Sequence, residues 1–301
     1  MPQYTLDQVT TRLADLRQSG ERRPVEVCQL GRWFFLEYTG HSSGHGLFGG
    51  RGGLVSAQPS YWLITEQVFT AALDVRDWEF ANTLLTTLRK QFVRSDRVDV
   101  LAGLLLEAQG QYKDADLIYN KILADNETNI FASKRKIAVA KAQGRMGDAT
   151  AQLNKYLGNQ ANDHEAWLEL CELYIHQNML EQAAFCVEEV IMLQPRNHIY
   201  NQKYAEIQYT LTNYDIALKY FCRAIELCTD YLRGLYGIKL CLAHLRSSGS
   251  SNTTLDQLDL LATERITEIY SLATKKADAK SAESTKQLGT IAHEWLQALS
   301  G

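Results

Sequence analysis

Alanine recurs at a fixed interval of 34 residues: Ala81, Ala115, Ala149, Ala183 and Ala217. Four residues after each stands a bulky apolar side chain, Leu85, Tyr119, Leu153, Val187 and Phe221. Three residues before each stands another, Trp78, Tyr112, Met146, Leu180 and Tyr214. Positions −3, 0 and +4 fall on one face of an α-helix, and no strand of period two can hold that pattern. A helix with one apolar stripe must bury it, and a unit repeated five times in register buries it against its neighbours. Alanine at the centre of the stripe lets a second helix backbone approach closely.

A second helix per unit follows from the intervening residues. Ser95, Asn129, Asp163 and Asn197 precede apolar-periodic runs and are side chains that accept from free N–H groups at a helix start. Gly110, Gly144 and Asn178 stand where those first helices should stop, and tolerate the left-handed conformation of a helix end. The units read 62–95, 96–129, 130–163, 164–197 and 198–231. A 34-residue helix–turn–helix period resembles the tetratricopeptide repeat (TPR). The 164–197 unit resembles it most, with Trp167, Leu170, Cys171, Tyr174, Ala183 and Pro195 in place. The expected fold is all-α, a right-handed TPR superhelical solenoid with helical caps at both ends.

Around the array the chain divides into an N-terminal helical cap (1–38), a Gly/Ser-rich flexible insertion (39–60), the TPR array (61–245), and C-terminal helices and cap (246–301). The first cap helix carries Leu6, Val9, Leu13 and Leu16, and Thr5 with Gln8 suits a capping box. A second begins near Pro24. Beyond the array, Leu258, Leu261, Ile266, Ile269 and Leu272 mark the second helix of an expanded pair. Leu288, Ile291, Trp295 and Leu299 mark a last amphipathic helix, expected to cap the end of the array in preference to docking on another protein.

Several functions are disfavoured. The net charge of −4 argues against a broad nucleic-acid-binding surface. The N-terminal stretch lacks the apolar core of a secretory signal, and no run reaches the ~18 apolar residues of a membrane span, so a soluble protein of the cytosol or nucleus, with no direct membrane insertion, is expected. "GGRGG" lacks the lysine of a phosphate-binding loop, and one arginine is too little for RNA. His41 and His45 alone make a weak metal site. The six cysteines form no C-x-x-C pair and read as reduced core thiols. No nucleophile–base constellation or nucleotide fingerprint is visible, so neither enzyme activity, metal nor cofactor is expected.

The expected working surface is the concave face that TPR first helices line. In this register it holds Glu66, Arg97, Lys134, Lys141, Leu168, Glu172, Gln202, Glu206 and Tyr209, a mixed-charge groove suited to an extended peptide or a helix. Lys134 is followed four residues on by Ala138, not by the asparagine of the TPR clamps that grip chaperone C-termini.

Four segments are more specific than the repeat: "YWLITEQVFTAALDV" (61–75), "KRKIAVAKAQGR" (134–145), "AAFCVEEVIMLQPRNHIYNQKYAE" (183–206) and "ALKYFCRAIEL" (217–227). They resemble the subunit 2 family of the endoplasmic reticulum (ER) membrane protein complex (EMC). That resemblance implies a non-catalytic scaffold, peripheral on the cytoplasmic face of the ER membrane, in a complex that inserts tail-anchored and multi-pass proteins. The implied partners are other EMC subunits, namely cytosolic segments of membrane subunits and a soluble subunit, in a hetero-oligomer. The alternative is a generic TPR adaptor for a peptide or helix of another soluble partner.

Overall fold

A computed structural model describes residues 5–40, 59–249, 253–276 and 282–300, and every element among them is an α-helix. The insertion expected at 39–60, with His41 and His45, lies almost wholly outside the described residues. The chain forms two compact units, residues 1–145 and 146–301. In the first are α1 (Leu6–Ser19), α2 (Pro24–Gly40), α3 (Pro59–Asp74), α4 (Trp78–Gln91), α5 (Asp96–Ala108), α6 (Tyr112–Asp125) and α7 (Ile130–Ala142). In the second are α8 (Met146–Asn159), α9 (His164–His176), α10 (Leu180–Leu193), α11 (His198–Thr210), α12 (Tyr214–Leu227), α13 (Leu232–Ser247), α14 (Thr253–Lys276) and α15 (Ala282–Ser300).

The 34-residue register survives in the helix boundaries. Second helices α4, α6, α8, α10 and α12 begin at 78, 112, 146, 180 and 214, and first helices α5, α7, α9, α11 and α13 at 96, 130, 164, 198 and 232. All five register alanines have 0% exposure, and Leu85, Tyr119, Leu153, Val187 and Phe221 are buried beside them. Within each unit consecutive helices pack in chain order, with lighter contact between successive first helices.

The helix ends show where local chemistry suffices and where it does not. Asn129, Asp163 and Asn197 accept side-chain caps from the N–H groups of Ala132 (3.1 Å), Ala166 (3.1 Å) and Ile199 (3.0 Å). Ser95 occupies the same station without a side-chain cap bond; only its carbonyl accepts, from Val98 and Asp99. First helices end on a left-handed residue at Gly110, Gly144 and Asn178 as expected, and also at Arg76 (φ 61°) and Thr212 (φ 63°). In all five the next N–H reaches back five residues, as Asp77 does to Ala72 (2.9 Å) and Asn213 to Gln208 (2.9 Å), the closing bond of a Schellman stop. The packed turn imposes this conformation on Arg76 and Thr212, against a local cost of about 1–2 kcal/mol.

The caps continue the repeat. The capping box at Thr5 and Gln8 is present, and Val9, Leu13, Leu16, Val27, Leu30 and Phe34 join the core that holds Ile64, Val68 and Ala72 of α3. At Gly31 an added Cβ would lie 2.4 Å from Val68, so this glycine sets how closely α2 meets α3. At the C-terminal end the expected stripes are partly displaced. Ala262 and Ile266 are buried on α14, and Ala292 and Leu296 on α15, whereas Leu261, Leu272, Leu288 and Ile291 are exposed. The apolar arcs of these helices are wider than the neighbours that cover them.

Size complementarity holds α5 to α6. Tyr119 is fully buried, and a Cβ on Gly103 would lie 2.4 Å from its ring. Gly103→Ala is expected to destabilise the fold by ~1–3 kcal/mol through overpacking. Adding Tyr119→Leu, the residue at the same station in two other units, should return part of that loss in denaturant unfolding. Thr212→Gly should raise stability by about 0.5–1 kcal/mol, because relief of a β-branched left-handed residue exceeds the entropy cost of glycine; an unchanged midpoint of thermal unfolding would contradict it.

Candidate protein-binding face

The first helices of each unit carry a ladder of ion pairs. In the first unit Arg97 of α5 donates to Glu66 of α3 (Nε–Oε1 3.0 Å). Arg135 of α7 donates to Glu107 of α5 through Nε (3.1 Å) and a second guanidinium nitrogen. Glu107 also accepts from the Tyr119 hydroxyl at 2.5 Å. Burial, then this bond to a carboxylate, drives the Tyr119 phenol far above its ordinary range, so it stays a neutral donor. In the second unit Lys203 of α11 donates to Glu172 of α9 (3.3 Å). Arg233 of α13 makes a two-point contact with Glu206 of α11, at 2.5 and 2.8 Å.

The predicted site residues are therefore placed as follows. Glu66, Arg97, Glu172 and Glu206 form rungs between consecutive first helices. Lys134 and Lys141 are half-buried on α7, and Leu168 is half-buried on α9. Gln202 departs from the open position expected of it: it is 2% exposed. Its Nε2 donates to Glu206 at 2.8 Å, while Oε1 is buried without a hydrogen-bond partner. Tyr209 is half-buried, edge-on to Tyr214 (5.3 Å) and His244 (5.6 Å), whose own rings stack at 4.5 Å. Burial raises the Tyr209 pKa. The rungs join residues 31, 28, 31 and 27 apart. An acid with a base slightly less than one repeat downstream is a signal that the sequence contains, once the period is known.

One polar cluster gave no such signal. Lys239 on α13 is 1% exposed. Its ammonium donates to Asp259 of α14 (2.5 Å) and to Thr263 (3.0 Å). Arg246 reaches both Asp259 (3.2 Å) and Asp256 (3.1 Å). Lys239 stands one, two, three and four repeats after Ala205, Cys171, Ile137 and Gly103, all buried. By register it reads as a core position, and only the packed α14 supplies its counter-charge.

Among the described residues no group of three or more His, Cys, Asp or Glu is placed to hold a metal, and no helix is long and apolar enough to cross a membrane. The six cysteines are free thiols. Burial pushes Cys171 and Cys222 up to about 11 and Cys186 and Cys241 up to about 12, the opposite of an activated nucleophile.

Helix pairs in 34-residue register, closed by one kind of turn and stitched along their first helices, define a TPR-type repeat protein. Residues 81–219 match the EMC2 TPR-like repeat domain. The chain is 42% identical over 219 residues to ER membrane protein complex subunit 2 of Xenopus tropicalis, covering 70% of this chain and 74% of that one. It is 33% identical over 232 residues to TPR repeat protein oca3 of Schizosaccharomyces pombe, with 72% and 82% covered. It is 33% identical over 199 residues to ER membrane protein complex subunit 2 of Dictyostelium discoideum, with 61% and 62% covered. The chain belongs to the ER membrane protein complex subunit 2 family.

The buried pair gives a direct test of what holds α13 to α14. Asp259→Ala should cost roughly 3–5 kcal/mol by stranding the Lys239 ammonium. Replacing both partners, Lys239→Met with Asp259→Leu, should recover most of that loss in urea unfolding.

Proposed function

We propose that this chain is a non-catalytic scaffold subunit of the ER membrane protein complex. It sits peripherally on the cytoplasmic face of the ER membrane. There it holds cytosolic segments of membrane subunits and a soluble subunit, while the complex inserts tail-anchored and multi-pass proteins. The observation that carries this reading is the repeat array, which runs through the segment shared with relatives named as subunits of that complex. The architecture suits a scaffold because the ion-pair rungs hold successive first helices at fixed spacing, so a bound segment meets a preorganised surface. The lysines of α7 and the aromatic cluster around Tyr209 supply two kinds of contact, one electrostatic and one apolar with hydroxyl groups.

The test is recovery of the full chain from detergent extracts of cells, with the co-purifying proteins identified by mass spectrometry. Membrane subunits of the complex are expected in near-stoichiometric amounts; recovery with soluble proteins alone would overturn the reading. Lys134→Glu with Lys141→Glu and Tyr209→Ala should lower that recovery while the circular dichroism of the purified variant stays helical.

A further inference from the structure

Helix α15 is placed like every other first helix, but among the described residues it has no second helix of its own. It packs chiefly on the preceding second helix α14 and lightly on the preceding first helix α13, the same pattern by which α13 meets α12 and α11. The geometry of α13 shows which side of such a helix is then left for its own partner. Gly234 and Gly237 face the preceding second helix, where added Cβ atoms would lie 2.8 Å from Ile225 and 2.5 Å from Phe221. Two residues on from each, Tyr236 and Lys239 meet the following second helix, through Tyr270 (3.2 Å) and Asp259 (2.5 Å).

The same offset applies to α15. Lys286, Gly289, His293 and Leu296 line a cleft of about 330 Å³ against α14. Two residues on from these stand Leu288, Ile291, Trp295 and Ala298, a stripe at steps of three and four. Leu288 is 55% exposed and Ile291 60%. Trp295 is half-buried, edge-on to Tyr236 at 5.1 Å, and so ties the stripe to the array's first helices. Glu283 and Glu294, eleven residues apart and both exposed, share the solvent-side edge of this stripe.

We propose that the Leu288–Ile291–Trp295 face receives an amphipathic helix from another polypeptide, which completes the pair that α15 begins. The argument is continuity: each paired first helix within the two units buries the corresponding face under a second helix. The internal second helices also specify the occupant's chemistry. It should carry a small residue with a bulky apolar residue four later, as in Ala217 and Phe221, and basic residues along the edge facing Glu283 and Glu294. The proposal rests on the reading that this chain works within a hetero-oligomer.

A photo-crosslinking amino acid placed at 288 or 291 in the full chain, irradiated in the detergent-extracted assembly, tests this. The expected product joins this chain to a different one, within a segment having that helical pattern. Leu288→Glu with Ile291→Glu should reduce recovery of the crosslinked chain at least ~10-fold, with the melting temperature of the isolated protein unchanged, because both side chains are exposed in it. Crosslinks to lipid, to another segment of this chain, to a second copy of it or to a non-helical segment would overturn the proposal. So would an assembly in which co-purified subunits are present and positions 288 and 291 react as they do in the isolated chain. Absence of any co-purified subunit would instead count against the hetero-oligomer reading.

Discussion

The structure depends on how closely neighbouring helices approach, and that distance is set by its smallest side chains. Helix axes come to within roughly 8–10 Å only where the crossing residues allow it. Alanine occupies the middle of the apolar stripe of each second helix from α4 to α12 and is buried completely there. Because each crossing admits a methyl group and little more, the bulky residues one turn on have nowhere to go but the spaces between first helices. Gly103 opposite Tyr119 and Gly237 opposite Phe221 are the extreme cases, with hydrogen opposite an aromatic ring. At these two contacts a bulky ring on one helix meets a glycine on the other, so size is complementary across the crossing.

Polar groups then refine what packing has built. Exposed rungs such as Arg97–Glu66 contribute about 0–1 kcal/mol each, too little to create the array but enough to favour one spacing of first helices over another. The Glu107 cluster is tighter, since a buried phenol and a guanidinium share one carboxylate. Lys239 is the limiting case: a charge at a core station, tolerable because Asp259 and Thr263 meet it directly. Within each unit the rung carboxylates are already engaged in the fold.

Both ends of the array pack helices on their neighbours and keep some apolar side chains exposed. At the N-terminal end α1 and α2 form a pair that packs on α3 and leaves Val25 and Leu36 exposed. At the other end α15 covers α14 but leaves Leu288 and Ile291 in solvent.

The fold class and its register were determined by the sequence alone. Five alanines at one interval, with bulky residues at −3 and +4, admit a single helical phase, and the structure keeps the same interval in its helix starts. Capping by Asn129, Asp163 and Asn197, and stops at Gly110, Gly144 and Asn178, were equally local, since each depends on what one residue type does to its own backbone. What only the tertiary structure decided lies between helices. Ser95 holds a cap station without a side-chain bond, and Arg76 and Thr212 adopt a left-handed turn that their side chains disfavour, because the packed turn leaves no alternative. Gln202 is buried where an open position was expected, and Lys239 carries a charge into the core because α14 brings Asp259 to it. These outcomes depend on which residue of a neighbouring helix arrives opposite, a distance relation across 20 to 31 residues of chain that helical periodicity alone does not specify.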